Sequence, residues 1–149
     1  SGLRAAAGDM PAAIAQMRAS VAAHAAAFGA EDANTVWQRL NLATLLRNAE
    51  RWDEARVELD RTLADASRLR LTGAGQARLL SMDALLHADA GRHADALKTL
   101  DALLRWLGPD RPERVRAERL RAQSAFALGR LDLALQAAAA AAGQPAGAR

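Results

Sequence analysis

Cysteine is absent from the 149 residues, and that single gap removes disulfides, thiolate metal sites and a thiol nucleophile together. Tyrosine is also missing and aromatic residues make up only 3% of the chain. A sheet therefore lacks its favoured residues, and single-stranded nucleic acid lacks a stacking platform. No apolar run approaches the roughly 20 residues that span a bilayer, because arginines and acids interrupt every hydrophobic stretch. No membrane association is expected, and a soluble, cytoplasmic domain is. Lysine occurs once, at Lys98, so the base content is almost wholly arginine.

What is present in quantity is alanine. It dominates an apolar fraction of 51%, has the highest helix propensity and lets helices approach closely. The composition predicts an all-α fold with one continuous core. Net charge is only +3, while the isoelectric point of about 10.8 reflects arginine in place of lysine. Arginine and alanine enrichment is what GC-rich codon usage produces, which points to a bacterial source and weakens the isoelectric point as a sign of nucleic-acid binding. The opening Ser1-Gly2 reads as a cloning scar before a fragment of a larger protein.

Three copies of a short pattern punctuate the chain: Asn48-Ala-Glu-Arg-Trp-Asp-Glu-Ala55, Asp89-Ala-Gly-Arg-His-Ala-Asp-Ala96 and Ala127-Leu-Gly-Arg-Leu-Asp-Leu-Ala134. Anchored on Arg51, Arg92 and Arg130, they recur after 41 and then 38 residues, a period expected of a helical repeat array. Apolar periodicity and breakers divide the chain into seven helical segments: about 10–27, from a cap at Asp32 or Asn34 to Asn48, 52–69, 75–89, 93–106, 113–128 and 131–142. Pro11 suits a first helical turn, Thr72-Gly73-Ala74-Gly75 reads as a turn, and Gly108-Pro109-Asp110-Arg111-Pro112 is a loop with Asp110 as candidate cap. Residues 1–7 are expected to be scar or linker, 8–142 the repeat domain, and 143–149 a frayed, disordered tail.

Counting from the inter-helix turn at Gly8, Glu50, Gly91 and Gly129, an alanine recurs five positions later at Ala13, Ala55, Ala96 and Ala134. A second small residue precedes the turn by seven positions at Ala43, Ala84 and Ala122. This resembles the tetratricopeptide repeat (TPR), whose small residues at these two places let helices A and B pack closely. Phe28-Gly29-Ala-Glu, Leu107-Gly108-Pro-Asp and Asn41-Leu-Ala43 look like the longer repeat of kinesin-light-chain type. The resemblance covers about Gly8 to Ala142, with Glu50 in place of the turn glycine and no Leu-Gly loop in the middle repeat. It implies a right-handed TPR-like superhelix of about seven antiparallel helices, three and a half helix-turn-helix repeats, that binds a protein or peptide partner in its concave groove. The chain opens on a helix B without its helix A, and the run Leu135 to Ala142 is almost uncharged, so further repeats or pairing between molecules are expected at the ends.

The groove positions that the resemblance implies fall on Trp37, Leu40, Asn41, Thr44, Arg47, Arg78, Ser81, Leu85, Arg116, Arg119, Gln123 and Phe126. Arginines around a partly apolar channel can fork onto carboxylates, and Trp37 and Phe126 offer anchors, so an extended acidic-hydrophobic peptide is the expected guest. The competing reading makes these arginines solvated helix surface. The family's clamp for a terminal carboxylate needs a basic residue and an asparagine where this chain has Leu40 and Thr44, and its third-repeat basic pair is half present, as Arg116 with Leu120 in the other place, which argues against a chaperone-tail clamp. The dense run Arg111, Arg114, Arg116, Arg119 and Arg121 is the first nomination for phosphate contacts, but Glu118 interrupts it at ion-pair spacing from Arg114 and Arg121. Nucleic acid is accordingly the weaker partner reading.

Asp83 and His87 share a helix face, yet His93 begins the next helix, no Glu general base completes a metalloprotease pattern, and His24 is remote. Gly73-Ala-Gly75 has no lysine behind it, and no Ser-His-Asp order is present. No enzyme, cofactor or metal is expected. Three functional readings remain: a groove that binds a partner's peptide, a regulatory arm of a bacterial kinase or transcription regulator that binds another domain of the same protein, and self-assembly into a homo-oligomer through the open ends.

Overall fold

The computed structural model describes residues 9–71 and 74–143, and these are helical with no strand among them. Seven helices follow in order: α1 (Met10–Phe28), α2 (Ala33–Asn48), α3 (Trp52–Arg68), α4 (Ala74–Asp89), α5 (His93–Trp106), α6 (Glu113–Ala127) and α7 (Leu131–Ala141). The all-α expectation and the number of helices hold, and helix ends fall within a residue or so of those read from the sequence. The expectations for residues 1–8, Thr72, Gly73 and 144–149 lie outside the described residues. Ala74 and Gly75 are not turn residues but the start of α4.

The chain divides into two compact units, the first ending at Gly75 and the second beginning at Gln76. In the first, α1 packs on α2 and α2 on α3. Val36, Leu40, Ala43 and Leu46, spaced along one face of α2, are all closed to solvent. Ala55, Leu59 and Ala66 of α3 are buried with it, and Thr62 completes that stripe by donating its hydroxyl to the Glu58 carbonyl at 2.7 Å. Asp32 caps α2, its carboxylate accepting from the Asn34 N–H at 3.0 Å and lying 3.3 Å from His24 of α1. In the second unit α6 packs on both α5 and α7. Ala77 and Ala84 of α4, Leu100, Leu103 and Leu107 around α5, and Ala117 of α6 form one core cluster there. Ala43, Ala55, Ala84 and Ala96, at the repeated small positions, have no exposure at all. A larger side chain at any of them would have to displace a neighbouring helix.

The three copies of the sequence pattern fold into the same turn. Glu50, Gly91 and Gly129 all adopt left-handed φ, at 60°, 78° and 74°. Around each, the following arginine's N–H bonds back across the end of the preceding helix: Arg51 to Leu46, Arg92 to His87 and Arg130 to Ala125, at 2.8–2.9 Å. The left-handed residue itself donates to Arg47, Ala88 and Phe126 respectively, completing a Schellman ending. The arginine carbonyl then accepts from Ala55, Ala96 or Ala134 at 3.0 Å and opens the next helix. Arg70 (φ 53°) ends α3 in the same manner, with Leu71 donating to Ala66 at 2.9 Å.

No side chain caps α6. Pro112 occupies the N-cap position, and Asp110 does not perform the capping expected of it. The Arg111 and Arg114 N–H groups instead make short backbone turns to Gly108 and Arg111. Proline has no N–H to satisfy at this end, which lowers the demand for a capping side chain.

One buried ion pair was not anticipated. Arg39 of α2, 6% exposed, donates to Asp65 of α3 at 2.5 Å, and Asp65 also accepts from Arg68 at 2.6 Å. At the surface, Glu54 of α3 joins Arg51 and, across to α1, Arg18 at 2.9 Å. The Arg51 fork, followed by the charges of Arg51 and Arg18, holds the Glu54 carboxyl below the usual carboxylate range.

Two expectations follow for stability. Glu50→Gly removes a left-handed cost of roughly 1 kcal/mol and raises the denaturation midpoint, whereas Gly91→Ala or Gly129→Ala lowers stability by about 1 kcal/mol. An added Cβ at Gly91 or Gly129 would meet nothing within 4 Å, so urea titration of these variants reads backbone conformation alone. For the buried pair, Asp65→Ala strands a guanidinium and should cost about 3 kcal/mol, while Arg39→Met, which removes the charge and keeps the volume, should cost less than about 1 kcal/mol. Equal losses in the two variants would show that the ion pair is not desolvated.

Candidate functional site

An apolar cleft lies within the second unit, between α4, α5 and α6. It measures about 270 Å³. Ser81 and Leu85 of α4 form one wall, and Leu100 and Leu103 of α5 form the floor. Glu113, Arg116, Ala117, Arg119, Leu120 and Gln123 of α6 form the other wall. The floor is built by the packing that makes the core, since Leu100, Leu103 and Ala117 belong to the buried cluster and Leu120 packs against it. Residues three, four and seven apart share a helix face, so α6 presents its polar groups along one edge of an apolar cleft.

Five of the twelve candidate positions, Ser81, Leu85, Arg116, Arg119 and Gln123, meet in this cleft. Arg78 and Phe126 are exposed in the same unit but lie outside its lining. Phe126, 68% exposed, stands at the C-terminal end of α6. The remaining candidates are on α2 in the first unit. Leu40 is only 1% exposed and belongs to the core, so it offers no surface to a ligand. Trp37, Asn41, Thr44 and Arg47 are half-buried. The indole of Trp37 lies so close to Gly75, the last residue of its unit, that a Cβ there would fall 2.5 Å from it. That contact makes Trp37 a packing residue as much as a surface one. The Thr44 hydroxyl donates to the Leu40 carbonyl at 3.0 Å, and Asn41, Arg47 and Arg78 each have an interaction within the chain.

The dense arginine run of α6 and the preceding loop is sorted by helix face. Arg111 forks onto Glu113 at 3.1 and 3.3 Å. Arg114 turns away from Glu118 and donates to the carbonyls of Leu104 and Leu107 at 3.0 and 3.1 Å, closing the C-terminal end of α5. Arg121 reaches Asp101 at 3.2 Å and Glu118 at 3.4 Å. Arg116 and Arg119 are the two that point to the cleft, and among the described residues neither forms a salt bridge. A run that looked like one basic patch is therefore three structural arginines and two available ones, which leaves little continuous positive surface for a phosphate backbone.

Glu113 was not among the sequence candidates. The hydrogen bonds from Arg111, then the N–H of its own backbone, then the charges of Arg111 and Arg116 hold its carboxyl below the usual carboxylate range. Its place at i−3 from Arg116 at the start of α6 was readable, but the packing of α4 and α5 that makes this the cleft side was not.

The histidines do not converge. His87 Nε2 lies 3.4 Å from Asp83, whose other oxygen accepts from Thr99 at 3.2 Å, while His93 turns to the buried hydroxyl of Ser124 at 3.2 Å. Among the described residues no group of three or more His, Asp or Glu side chains is placed to hold a metal ion, and no helix is long and apolar enough to cross a membrane.

No protein-family model, curated protein or solved structure matches the chain.

The sorting of the arginines can be measured directly. Arg114→Ala should lower stability by about 1–2 kcal/mol through loss of charged hydrogen bonds to two carbonyls, and Arg116→Ala or Arg119→Ala should stay within about 0.5 kcal/mol of the parent in urea unfolding. A large loss at Arg116 or Arg119 would mean that these side chains hold the fold together and are not available to a ligand.

Proposed function

We propose that this chain is a non-catalytic protein-interaction module of tetratricopeptide-like type, and that the cleft between α4, α5 and α6 seats an extended acidic-hydrophobic segment of a partner protein. The observation that carries the reading is the coincidence of Leu85 and Leu120, partly open above the buried Leu100 and Leu103, with two arginines, Arg116 and Arg119, that make no salt bridge among the described residues. Burial of one side chain against Leu85 and Leu120 would supply most of the affinity, and the arginines would set rate and selectivity. The repeated turn and the full burial of Ala43, Ala55, Ala84 and Ala96 support the tetratricopeptide resemblance, although Ala13, Ala122 and Ala134 at the same repeated positions are only half-buried, and the right-handed superhelix such repeats build is part of the proposal. When the bound segment belongs to another domain of the same polypeptide, the same cleft serves the regulatory reading.

Self-association has an observation of its own. Leu131 and Leu135 of α7 are 56% and 70% exposed on one helix face, with no charged residue from Leu133 to Gly143. Concentration-dependent sedimentation that Leu135→Glu abolishes would favour this reading.

Peptide display against the parent and against an Arg116→Ala/Arg119→Ala double variant tests the cleft. Enrichment of sequences pairing acidic with large apolar residues is expected on the parent, with that enrichment lost on the variant. Identical enrichment on both would remove the arginine cleft as the binding site.

A further inference from the structure

Building on the peptide-cleft reading, we infer that the cleft is charge-ordered: it accepts an apolar anchor with an acidic residue on one side only, and a neutral or basic residue on the other. The argument rests on the order of groups along α6. Glu113, Arg116 and Arg119 all line the cleft and follow one another at intervals of three residues. At a rise of 1.5 Å per residue, the negative end and the far positive end are separated by about 9 Å along the helix axis. A peptide in the extended polyproline-II conformation advances about 3.1 Å per residue with three residues per turn, so opposite charges three residues apart lie on one face and would meet the two ends together.

The three charges are not equivalent. Arg116 stands between the other two, and its charge contributes to keeping Glu113 ionised. Arg119 lies one further step along and has no acidic partner among the described residues. The fork from Arg111 engages Glu113 without closing it, because two hydrogen bonds occupy only about half of a carboxylate's acceptor sites. Arg111 itself is exposed and outside the cleft lining. One negative and two positive groups therefore face the same apolar floor. A first ligand carboxylate beside Arg119 meets a guanidinium with no acidic partner among the described residues, whereas a second one beside Glu113 meets a like charge.

Three blocked synthetic peptides of equal length test this, each with a leucine between two flanks three residues apart: Lys and Glu, Glu and Glu, or Lys and Lys. Calorimetric titration into the full chain should give the Lys/Glu peptide about threefold to fivefold tighter binding than Glu/Glu, the size expected of exposed charge pairs. The Lys/Lys peptide should be weakest. Glu113→Gln should abolish the advantage of Lys/Glu over Glu/Glu, and Arg119→Gln should weaken both. The parent supplies a second readout that needs no variant: the advantage should vanish near 1 M salt, where the Debye length is about 3 Å. Glu/Glu binding as tightly as Lys/Glu, or an advantage that survives Glu113→Gln or high salt, would overturn the charge ordering while leaving the peptide cleft standing. Failure of all three peptides to bind the parent would overturn the peptide-cleft reading and the ordering with it.

Discussion

A single backbone conformation, the left-handed residue between paired helices, sets the geometry on which the remaining structure rests. At Glu50, Gly91 and Gly129 the chain reverses within a few residues because one φ is positive and two backbone hydrogen bonds close over the preceding helix end. The reversal brings the alanine five residues later onto the face opposite the small residue seven positions before, and at Ala43 with Ala55 and Ala84 with Ala96 both members are fully buried. Were that φ negative, the second helix would leave in another direction and neither alanine would find its neighbour. Glycine satisfies this requirement without steric cost at two sites, and Glu50 meets it at a cost that its surroundings must offset.

The cleft is a by-product of that packing. Leu100 and Leu103 are held by the core cluster, so the apolar floor of the cleft is as rigid as the core itself, and only the α6 edge carries adjustable groups. On the proposed peptide-cleft function, stability and recognition draw on different side chains of one helix. Ala117 and Ser124 face inward, Arg114 and Arg121 tie α6 to α5, and Arg116, Arg119 and Gln123 remain for a ligand.

Helix existence was legible because apolar periodicity and turn residues agreed; the buried stripe of α2 could be read from Val36, Leu40, Ala43 and Leu46 alone. Side-chain partnership was much less so. The Arg39–Asp65 pair joins residues 26 apart in sequence, and nothing local marks either as buried. Arg114 bonds to backbone carbonyls, which have no sequence signature at all. Leu40 was placed in a groove by resemblance, yet its position on the apolar stripe already assigned it to the core. Asp110 failed as a cap because Pro112 begins the helix two residues later than a cap at Asp110 would require.

The near-identical turns also bear on how the chain reaches its native state. Each turn is local and uses only backbone groups within a few residues of one another, so it can form before any distant part of the chain is placed. Most helix pairs that pack within a unit are neighbours in sequence, α1 with α2, α2 with α3, α5 with α6 and α6 with α7. Loop closure is correspondingly inexpensive in entropy, and proteins dominated by such short-range contacts fold on microsecond to millisecond timescales. Nascent chain emerging from a ribosome could therefore complete the α2–α3 pair before α6 has been synthesised, leaving little time for the leucines of one unit to meet those of another molecule.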